Sequence, residues 1–255
     1  MKKSAPRDLL LASFEAALAA ADPLKLVPAQ LPQPPTGRTL VVGAGKAAAA
    51  MALAVEQHWP ADAALDGVVV TRYQHGLLTN RITVIEAAHP VPDEAGEQAA
   101  QEVLKRVKAL TRDDLLLVLI SGGGSSLLSL PASGITMADL KTTTQALLRS
   151  GAPIQDMNTV RKHLSAIQGG RLAAASPAPV LALIISDVTG DDPTHIASGP
   201  CAPDPSTYQD AIDILARYEV HAPDAVRSHL ERGARGEIAE TPKPGDSVFR
   251  RVENR

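Results

Sequence analysis

The chain has 255 residues, of which 45% are hydrophobic and 21% are charged. It is therefore long enough to bury a sizeable core as one large domain or two small ones. A formal net charge of −3 and an aromatic content of 2% argue against a nucleic-acid-binding surface, which needs clustered basic residues and base-stacking rings. The single cysteine, Cys201, excludes an intrachain disulfide and any zinc cluster built from cysteines.

The N-terminal segment, residues 1–23, has the lysines and the apolar stretch of a signal peptide. Two acidic residues interrupt that stretch, however, and Leu10, Phe14 and Leu18 recur at helical spacing. This pattern predicts an amphipathic helix that packs on the domain. Because no apolar run approaches membrane-spanning length, we expect a cytoplasmic protein without a membrane partner.

Short runs rich in β-branched and other apolar residues alternate with helical patterns along the rest of the chain. The runs predict strands at residues 39–42, 67–71, 82–86, 115–120 and 180–186. The patterns predict helices at residues 46–58, 93–110, 136–150, 207–218 and 223–232, and one more that is capped by Asn158. Strands that alternate with helices indicate a parallel sheet covered on both faces.

Glycine, histidine or an acidic residue follows each predicted strand. Ligands of open parallel sheets bind beyond the carboxyl ends of the strands. We therefore expect a polar rim along one edge of the sheet, built from GAGK, SGGGSS and DVTGDDPTH, with His75 and His89 as weaker candidates.

The first of these segments, GAGK, is compatible with two kinds of anion site. It lacks the spacing and the hydroxyl of a P-loop, whereas Gly43, Gly45 and Ala48 match the dinucleotide pattern G-x-G-x-x-A. The acidic residue that should end the next strand is absent there, because Asp66 precedes that strand. Lys46 beside the amide groups of a helix N-terminus favours an anion. The alternative is a tight turn with a solvated lysine.

The second segment predicts a phosphate cradle, since glycines let the backbone approach a ligand and hydroxyls add donors. Its members are Ser121, Gly122, Gly123, Gly124, Ser125 and Ser126. The alternative is a flexible turn.

The third segment carries clustered acidic residues. Asp187 ends a strand and Asp191 follows closely, and oxygen ligands of this kind suit Mg²⁺ held partly by substrate phosphates. Asp191 and Asp192 precede Pro193 and are also compatible with a turn that they merely shape, and a lone histidine such as His195 is more often a structural one. Arg161, predicted in the first turn of the helix capped by Asn158, opposes the helix dipole there, so either a bound anion or a solvated surface explains it.

The residues present match phosphoryl transfer, in which catalysis consists of positioning and charge neutralisation. Neither the G-x-S-x-G elbow nor the H-E-x-x-H motif occurs. The ordered motifs resemble those of the class II glycerate kinases, whose C-terminal half is called the MOFRL domain. They are VVGAGKAAAAMA, AAHPVPDEAG, LISGGGSSLLSLP, MNTVRKHLSAIQGGRLA and ISDVTGDDPTHIASGPCAPDPST.

The resemblance implies transfer of the γ-phosphoryl group of ATP to D-glycerate with Mg²⁺, giving 2-phosphoglycerate. It implies an α/β fold with a Rossmann-like three-layer α/β/α sandwich and a mainly parallel sheet. Lys46 matches the active-site lysine of the family and Asp187 its strand-end acid. Asp187 and Asp191 are expected to act on the hydroxyl or to hold Mg²⁺. Residues 121–126 are expected to cradle phosphate, and Gly43 and Gly45 to make further contacts with the cofactor. Arg161 is expected to bind an anion.

The resemblance also implies a division of the chain. Residues 1–238 match the N-terminal domain, and residues 239–255 match a linker and the start of a C-terminal domain that the chain lacks. We therefore expect little kinase activity from this chain alone. A homo-oligomer is compatible with the sequence. Two other functions stay open, an NAD(P)H-dependent hydroxypyruvate reductase and a non-catalytic module that binds an anionic metabolite.

Overall fold

The structure, a computed structural model, describes residues 6–255 and contains one six-stranded sheet. Its strands are β1 (Thr39–Ala44), β2 (Leu65–Arg72), β3 (Ile82–Ala87), β4 (Leu115–Ser121), β5 (Val180–Ile185) and β6 (Val252–Asn254). They lie in the order β3-β2-β1-β4-β5-β6, and every neighbouring pair is parallel. The predicted α/β class with a parallel sheet is therefore confirmed.

Helices cover both faces of this sheet. In chain order they are α1 (Pro6–Ala20), α2 (Pro23–Leu26), α3 (Ala48–His58), α4 (Glu94–Lys108), α5 (Gly124–Leu127), α6 (Met137–Arg149), α7 (Ile154–His163), α8 (Arg171–Ala175), α9 (Tyr208–Arg217) and α10 (Asp224–Ala234). Helix α3 shares a buried apolar cluster with one face of the sheet, and α4 and α8 share another with the opposite face. The layers form the α/β/α sandwich that the resemblance implied.

Alternation along the central strands divides the core between the two faces. In β4, Leu116, Val118 and Ile120 belong to the cluster with α4, whereas Leu117 and Leu119 belong to the cluster with α3. Successive side chains of a strand point to opposite faces, so the continuous apolar run of β4 is buried on both sides. Each of these buried side chains contributes about 1.5–3 kcal/mol to stability.

A third apolar cluster joins α6, α7, α9 and α10. Tyr208 is buried in it together with Leu147 and Val226. The helix α6 begins at the predicted capping box, in which the Thr136 hydroxyl and the Asp139 carboxylate satisfy each other's backbone N–H groups. This cluster holds α7, one face of which reaches the candidate site.

The strands agree closely with the sequence-based prediction. All five predicted strands are present, and their ends lie within two residues of the predicted positions. The sixth strand, β6, was not predicted. It has three residues and pairs with β5 from Val180 to Ala182. So short a segment is too brief to show the alternation of apolar and polar residues that identifies a strand.

Helix α7 begins earlier than predicted. Pro153 precedes its first residue, and Asn158 lies buried in its middle, so the prediction that Asn158 caps the helix is wrong. Proline is favoured at a helix start because its φ is fixed and its missing N–H is not needed there. Arg161 and Lys162 consequently lie in the last turn, where cations favour the helix dipole. The dipole argument for an anion at this helix is therefore wrong as well.

Helix α1 is present, as predicted, but it does not pack on the domain. None of its residues is buried, and Leu10, Phe14 and Leu18 are largely exposed. Their spacing predicted the helix correctly, but no surface within residues 6–255 covers these three side chains. Across those same residues, no helix has both the length and the hydrophobicity needed to cross a membrane.

The tail, residues 239–255, contacts the rest of the fold at several points. The Tyr208 N–H donates to the Glu240 carboxylate, Thr241 is buried, and Asn254 donates to the Cys201 carbonyl. Cys201 is itself buried, which raises the pKa of its thiol to about 12. This side chain is therefore an inert part of the core.

Candidate active site

The carboxyl ends of β1 and β4 lie side by side at the point where the strand order reverses. The strands β1, β2 and β3 extend from this point in one direction, and β4, β5 and β6 extend in the other. In open parallel sheets this is the point where ligands bind. The loops after the two strands are joined by hydrogen bonds, from Lys46 N–H to the Gly122 carbonyl at 2.8 Å and from Ala47 N–H to the Ser121 hydroxyl at 3.0 Å.

Lys46 and Asp187 form an ion pair across this point. Lys46 Nζ lies 3.0 Å from Asp187 Oδ2, and the two side chains are 44% and 51% exposed. An ion pair this exposed contributes only about 0–1 kcal/mol to stability. Both charges are therefore accessible to a ligand, the ammonium as an anion-binding group and the carboxylate as a proton acceptor or metal ligand.

The glycines after β4 allow this close approach. A Cβ atom on Gly122 would lie 1.9 Å from Asp187 Oδ2, and one on Gly124 would lie 2.6 Å from the Cβ of Ala197. Gly123 has a φ of +88°, in the left-handed region that glycine adopts without a steric penalty. Any side chain here would displace Asp187, Ala197 or the turn itself.

His89 lies against the same loop. Its Nε2 atom is 2.9 Å from the position that a Cβ atom on Gly123 would take. Burial lowers the pKa of His89, and the positive charges of Lys46 and Arg72 lower it further. The ring is therefore neutral near pH 7. Of the two weaker histidine candidates, His89 is the one beside Lys46.

Arg161 extends from the last turn of α7 into a cavity of about 430 Å³, which Gly123, Ser125, Asp187 and His195 also line. Burial lowers the pKa of its guanidinium, and no acidic side chain of residues 6–255 offsets this effect. Arginine nevertheless stays protonated in proteins. The cavity therefore contains a half-buried positive charge, which an anionic ligand would complement.

The three serines of the SGGGSS segment differ in their surroundings. The Ser121 hydroxyl is buried and accepts the Ala47 N–H, and the Ser126 hydroxyl donates to the Gly123 carbonyl. Both hydroxyls therefore make hydrogen bonds within the site, and their contact with phosphate stays a prediction. Ser125 lines the cavity, with its hydroxyl 2.9 Å from that of Ser198.

Gly43 and Gly45 serve the packing of β1. Gly43 lies inside the strand, where a Cβ atom would be 2.1 Å from the Leu119 carbonyl oxygen. Gly45 has a φ of +143° and packs on Ser121. Helix α3 begins only after these residues, at Ala48. The close approach of β1 and its turn to β4 accounts for both glycines, and their contact with a cofactor stays a prediction.

The two aspartates expected to act together line different cavities. Asp187 lines the one that contains Arg161, whereas Asp191 lines another of about 450 Å³ with Ile185 and Arg255. Within residues 6–255 no group of three histidine, cysteine or acidic side chains is arranged to hold a metal ion. Mg²⁺ nevertheless binds through one or two carboxylates together with substrate phosphates. Asp187, half-exposed beside the cavity, fits that requirement.

Asn158 and Ser198 form a hydrogen-bonded pair behind Ser125 that the sequence did not predict. The Ser198 hydroxyl donates to Asn158 Oδ1 over 3.3 Å and contacts Ser125. Ala197 and Ser198 have φ values of +50° and +58°, a conformation that costs a non-glycine residue about 1–3 kcal/mol. No residue type in HIASGP signals this strain, and asparagine is a common helix cap, which explains why Asn158 was misassigned.

Known proteins share this arrangement of sequence and fold. Residues 9–231 match a domain family described as a domain of unknown function, DUF4147. A glycerate 2-kinase from Pyrococcus horikoshii is 48% identical over 209 residues, which cover 81% of this chain and 47% of that protein. An Agrobacterium vitis protein with the provisional name hydroxypyruvate reductase is 54% identical over 241 residues, covering 94% of this chain and 54% of that protein.

A solved structure agrees with these sequence matches. The crystal structure of a glycerate kinase from Thermotoga maritima superimposes with a TM-score of 0.84 at 37% identity, covering 98% of this chain and 59% of that one. The chain spans about half the length of the curated relatives it matches. It therefore belongs to the DUF4147 family and corresponds to the N-terminal domain of the class II glycerate kinases.

Proposed function

We propose that this chain is part of a kinase that transfers the γ-phosphoryl group of ATP to a hydroxyl of D-glycerate, giving 2-phosphoglycerate. The observation that carries the proposal is the half-exposed Lys46–Asp187 pair above three consecutive glycines, beside the cavity that contains Arg161. Two relatives named for glycerate phosphorylation support it.

The residues around the cavity match the needs of phosphoryl transfer, which are positioning and charge neutralisation. Lys46 and Arg161 supply positive charge for the carboxylate of D-glycerate and for the transferring phosphoryl group. Asp187 accepts the proton of the attacking hydroxyl or holds Mg²⁺. The bound Mg²⁺ would neutralise phosphate charge, and Asp187 is the side chain placed to hold it.

We propose that a complete site also uses residues from the part of the relatives that the match does not cover. The chain spans about half the length of its curated relatives, so we assign the opposite wall of the cleft to a second domain of the MOFRL type. This chain alone is then expected to bind its ligands weakly and to turn them over slowly.

The hydroxypyruvate reductase alternative is less well supported. A dinucleotide site of the G-x-G-x-x-A type needs an acidic residue near the end of the second strand, where it binds the ribose. The strand β2 ends at Arg72, and Asp66 lies near its beginning in an ion pair with Arg38 at 3.2 Å. The Asp66 carboxylate therefore lies at the opposite end of β2 from the ligand-binding edge of the sheet.

The proposal is tested by titrating the chain with D-glycerate, Mg²⁺–ATP and NADH in a calorimeter, and by a coupled assay of ADP release. Binding of D-glycerate and Mg²⁺–ATP, but not of NADH, is the expected result. Turnover at the 1–1,000 s⁻¹ of ordinary enzymes would establish the kinase and contradict the need for a second domain. Binding of NADH without binding of ATP would overturn the proposal in favour of the reductase.

A further inference from the structure

A second cavity adjoins the one that contains Arg161, and apolar atoms form most of its wall surface although polar side chains, Lys141 among them, also line it. It has a volume of about 220 Å³, and its walls include Val91, Leu140 and Leu148. Ser125, Ile154 and Arg161 line both cavities. The site is therefore a two-part pocket, with a charged compartment next to Lys46 and Asp187 and an apolar compartment behind Arg161.

The mostly apolar wall of this compartment suits D-glycerate less well than the charged compartment beside Asp187 does. D-glycerate carries a carboxylate or a hydroxyl on every carbon, and polar groups lose hydration when they enter apolar surroundings. A ligand that fills both compartments needs an anionic end and a flat, largely apolar end. Pockets for whole ligands of that size measure about 300–1,000 Å³, so the 220 Å³ compartment holds only part of such a ligand.

We propose that this apolar compartment binds the base of an adenine nucleotide, with its phosphates extending past Arg161 and Ser125 toward Lys46. The inference rests on the proposed function, since it takes ATP as the phosphoryl donor. It assigns the nucleotide base to a place formed by the loop after β3 and by the helices α6 and α7.

The wall formed by the β3 loop is rigid. Val91 lies between Pro90 and Pro92, and all three line the compartment. Proline fixes its own φ and restricts the residue before it, so the loop loses little freedom when a ring packs on it. Preorganisation of this kind increases affinity, because less entropy is lost on binding.

Three exposed apolar side chains line the compartment. Val91, Leu148 and Ile154 each expose about half of their surface or more. Burial of such surface against a planar ring is favourable because it removes apolar area from water. Thr144 and Gln145 also line the compartment and make no side-chain hydrogen bonds within residues 6–255. They provide the donors and acceptors that the edge of a purine requires.

The test compares two ligands that share a triphosphate and differ in the base. Calorimetric titrations with Mg²⁺–ATP and with Mg²⁺–tripolyphosphate are made on the wild-type chain, and D-glycerate is titrated as well. A double variant, Val91→Ser with Leu148→Ser, removes two exposed apolar side chains that line only the apolar compartment. Leu78→Ser serves as the control, because Leu78 is almost fully exposed and lines neither compartment.

The wild type is expected to bind ATP at least about tenfold more tightly than tripolyphosphate. The double variant is expected to lose about tenfold in ATP affinity and to keep the wild-type affinity for tripolyphosphate and D-glycerate. Leu78→Ser should match the wild type throughout.

Two results would overturn the inference while the proposed function stands. One is equal affinity of the wild type for ATP and tripolyphosphate, together with binding of D-glycerate. The other is undiminished ATP affinity in the double variant, which would place the base elsewhere. If neither the triphosphates nor D-glycerate binds, the proposed function fails together with the inference.

Discussion

Lys162 Nζ lies 3.4 Å from Asp204 Oδ1 inside the protein, where the two side chains are 4% and 1% exposed. Lys162 follows Arg161 on α7, and neighbouring side chains of a helix point about 100° apart. One cation therefore enters the interior while the other lines the ligand cavity. The buried pair helps to hold the rotation of α7 and with it the direction in which Arg161 points.

Removal of one partner of this pair should destabilise the fold strongly. Asp204→Asn leaves the Lys162 ammonium buried without a counter-charge, which typically costs about 3–5 kcal/mol. The loss is measured as the free energy of unfolding in urea. Asp62→Asn, at an exposed position, is the matched control and should change stability by less than about 0.5 kcal/mol. A loss below about 1 kcal/mol in Asp204→Asn would show that the pair does not hold α7.

The same carboxylate should make the fold sensitive to acid. Burial raises the pKa of Asp204, but Lys162 and the Ser206 hydroxyl outweigh it, so the pKa lies below its ordinary value. The stability that this group contributes is complete above the unfolded pKa of about 3.9 and is lost as the pH falls through the folded pKa. Unfolding free energies measured from pH 6 to pH 2.5 should therefore fall below about pH 4. The fall should be smaller in Asp204→Asn, and an equal fall in both proteins would assign the acid sensitivity to other groups.

The strands and the position of the candidate site could be predicted from sequence because both depend on short-range patterns. The run LLLVLI identifies β4, and the glycines after it mark the edge of the sheet where Lys46 and Asp187 meet. The Lys162–Asp204 pair could not be predicted, because its partners are 42 positions apart in the chain and lysine is ordinarily a surface residue. The apolar compartment was missed because residues from separate loops and helices form it.

The loop after β4 allows a test of the Lys46–Asp187 geometry that leaves both side chains unchanged. In Gly122→Ala the new Cβ atom would lie 1.9 Å from Asp187 Oδ2, so the carboxylate must turn toward solvent and the pair must break. Because Asp187 is half-exposed, the cost in stability should stay within about 1 kcal/mol. The affinity for D-glycerate and Mg²⁺–ATP, measured by calorimetry, should fall about tenfold or more.

Gly76→Ala is the control for this substitution. It places a Cβ atom 2.9 Å from another flexible carboxylate, that of Glu86, and should leave ligand affinity unchanged. Wild-type affinity in Gly122→Ala would mean that the position of Asp187 is unimportant for binding.

Lys46 is the residue on which the proposed anion site depends most directly. Lys46→Met keeps an unbranched side chain of similar length and removes the charge. A hydrogen bond to a charged group is worth about 1.5–3 kcal/mol, so the affinity for D-glycerate should fall about ten- to a hundredfold. The unfolding free energy should change by no more than about 1 kcal/mol, since the pair with Asp187 is half-exposed. Lys108→Met, at an exposed position on α4, should bind D-glycerate as the wild type does. If Lys46→Met binds as tightly as Lys108→Met, the ammonium does not contact the substrate, and the anion site must be assigned to Arg161 instead.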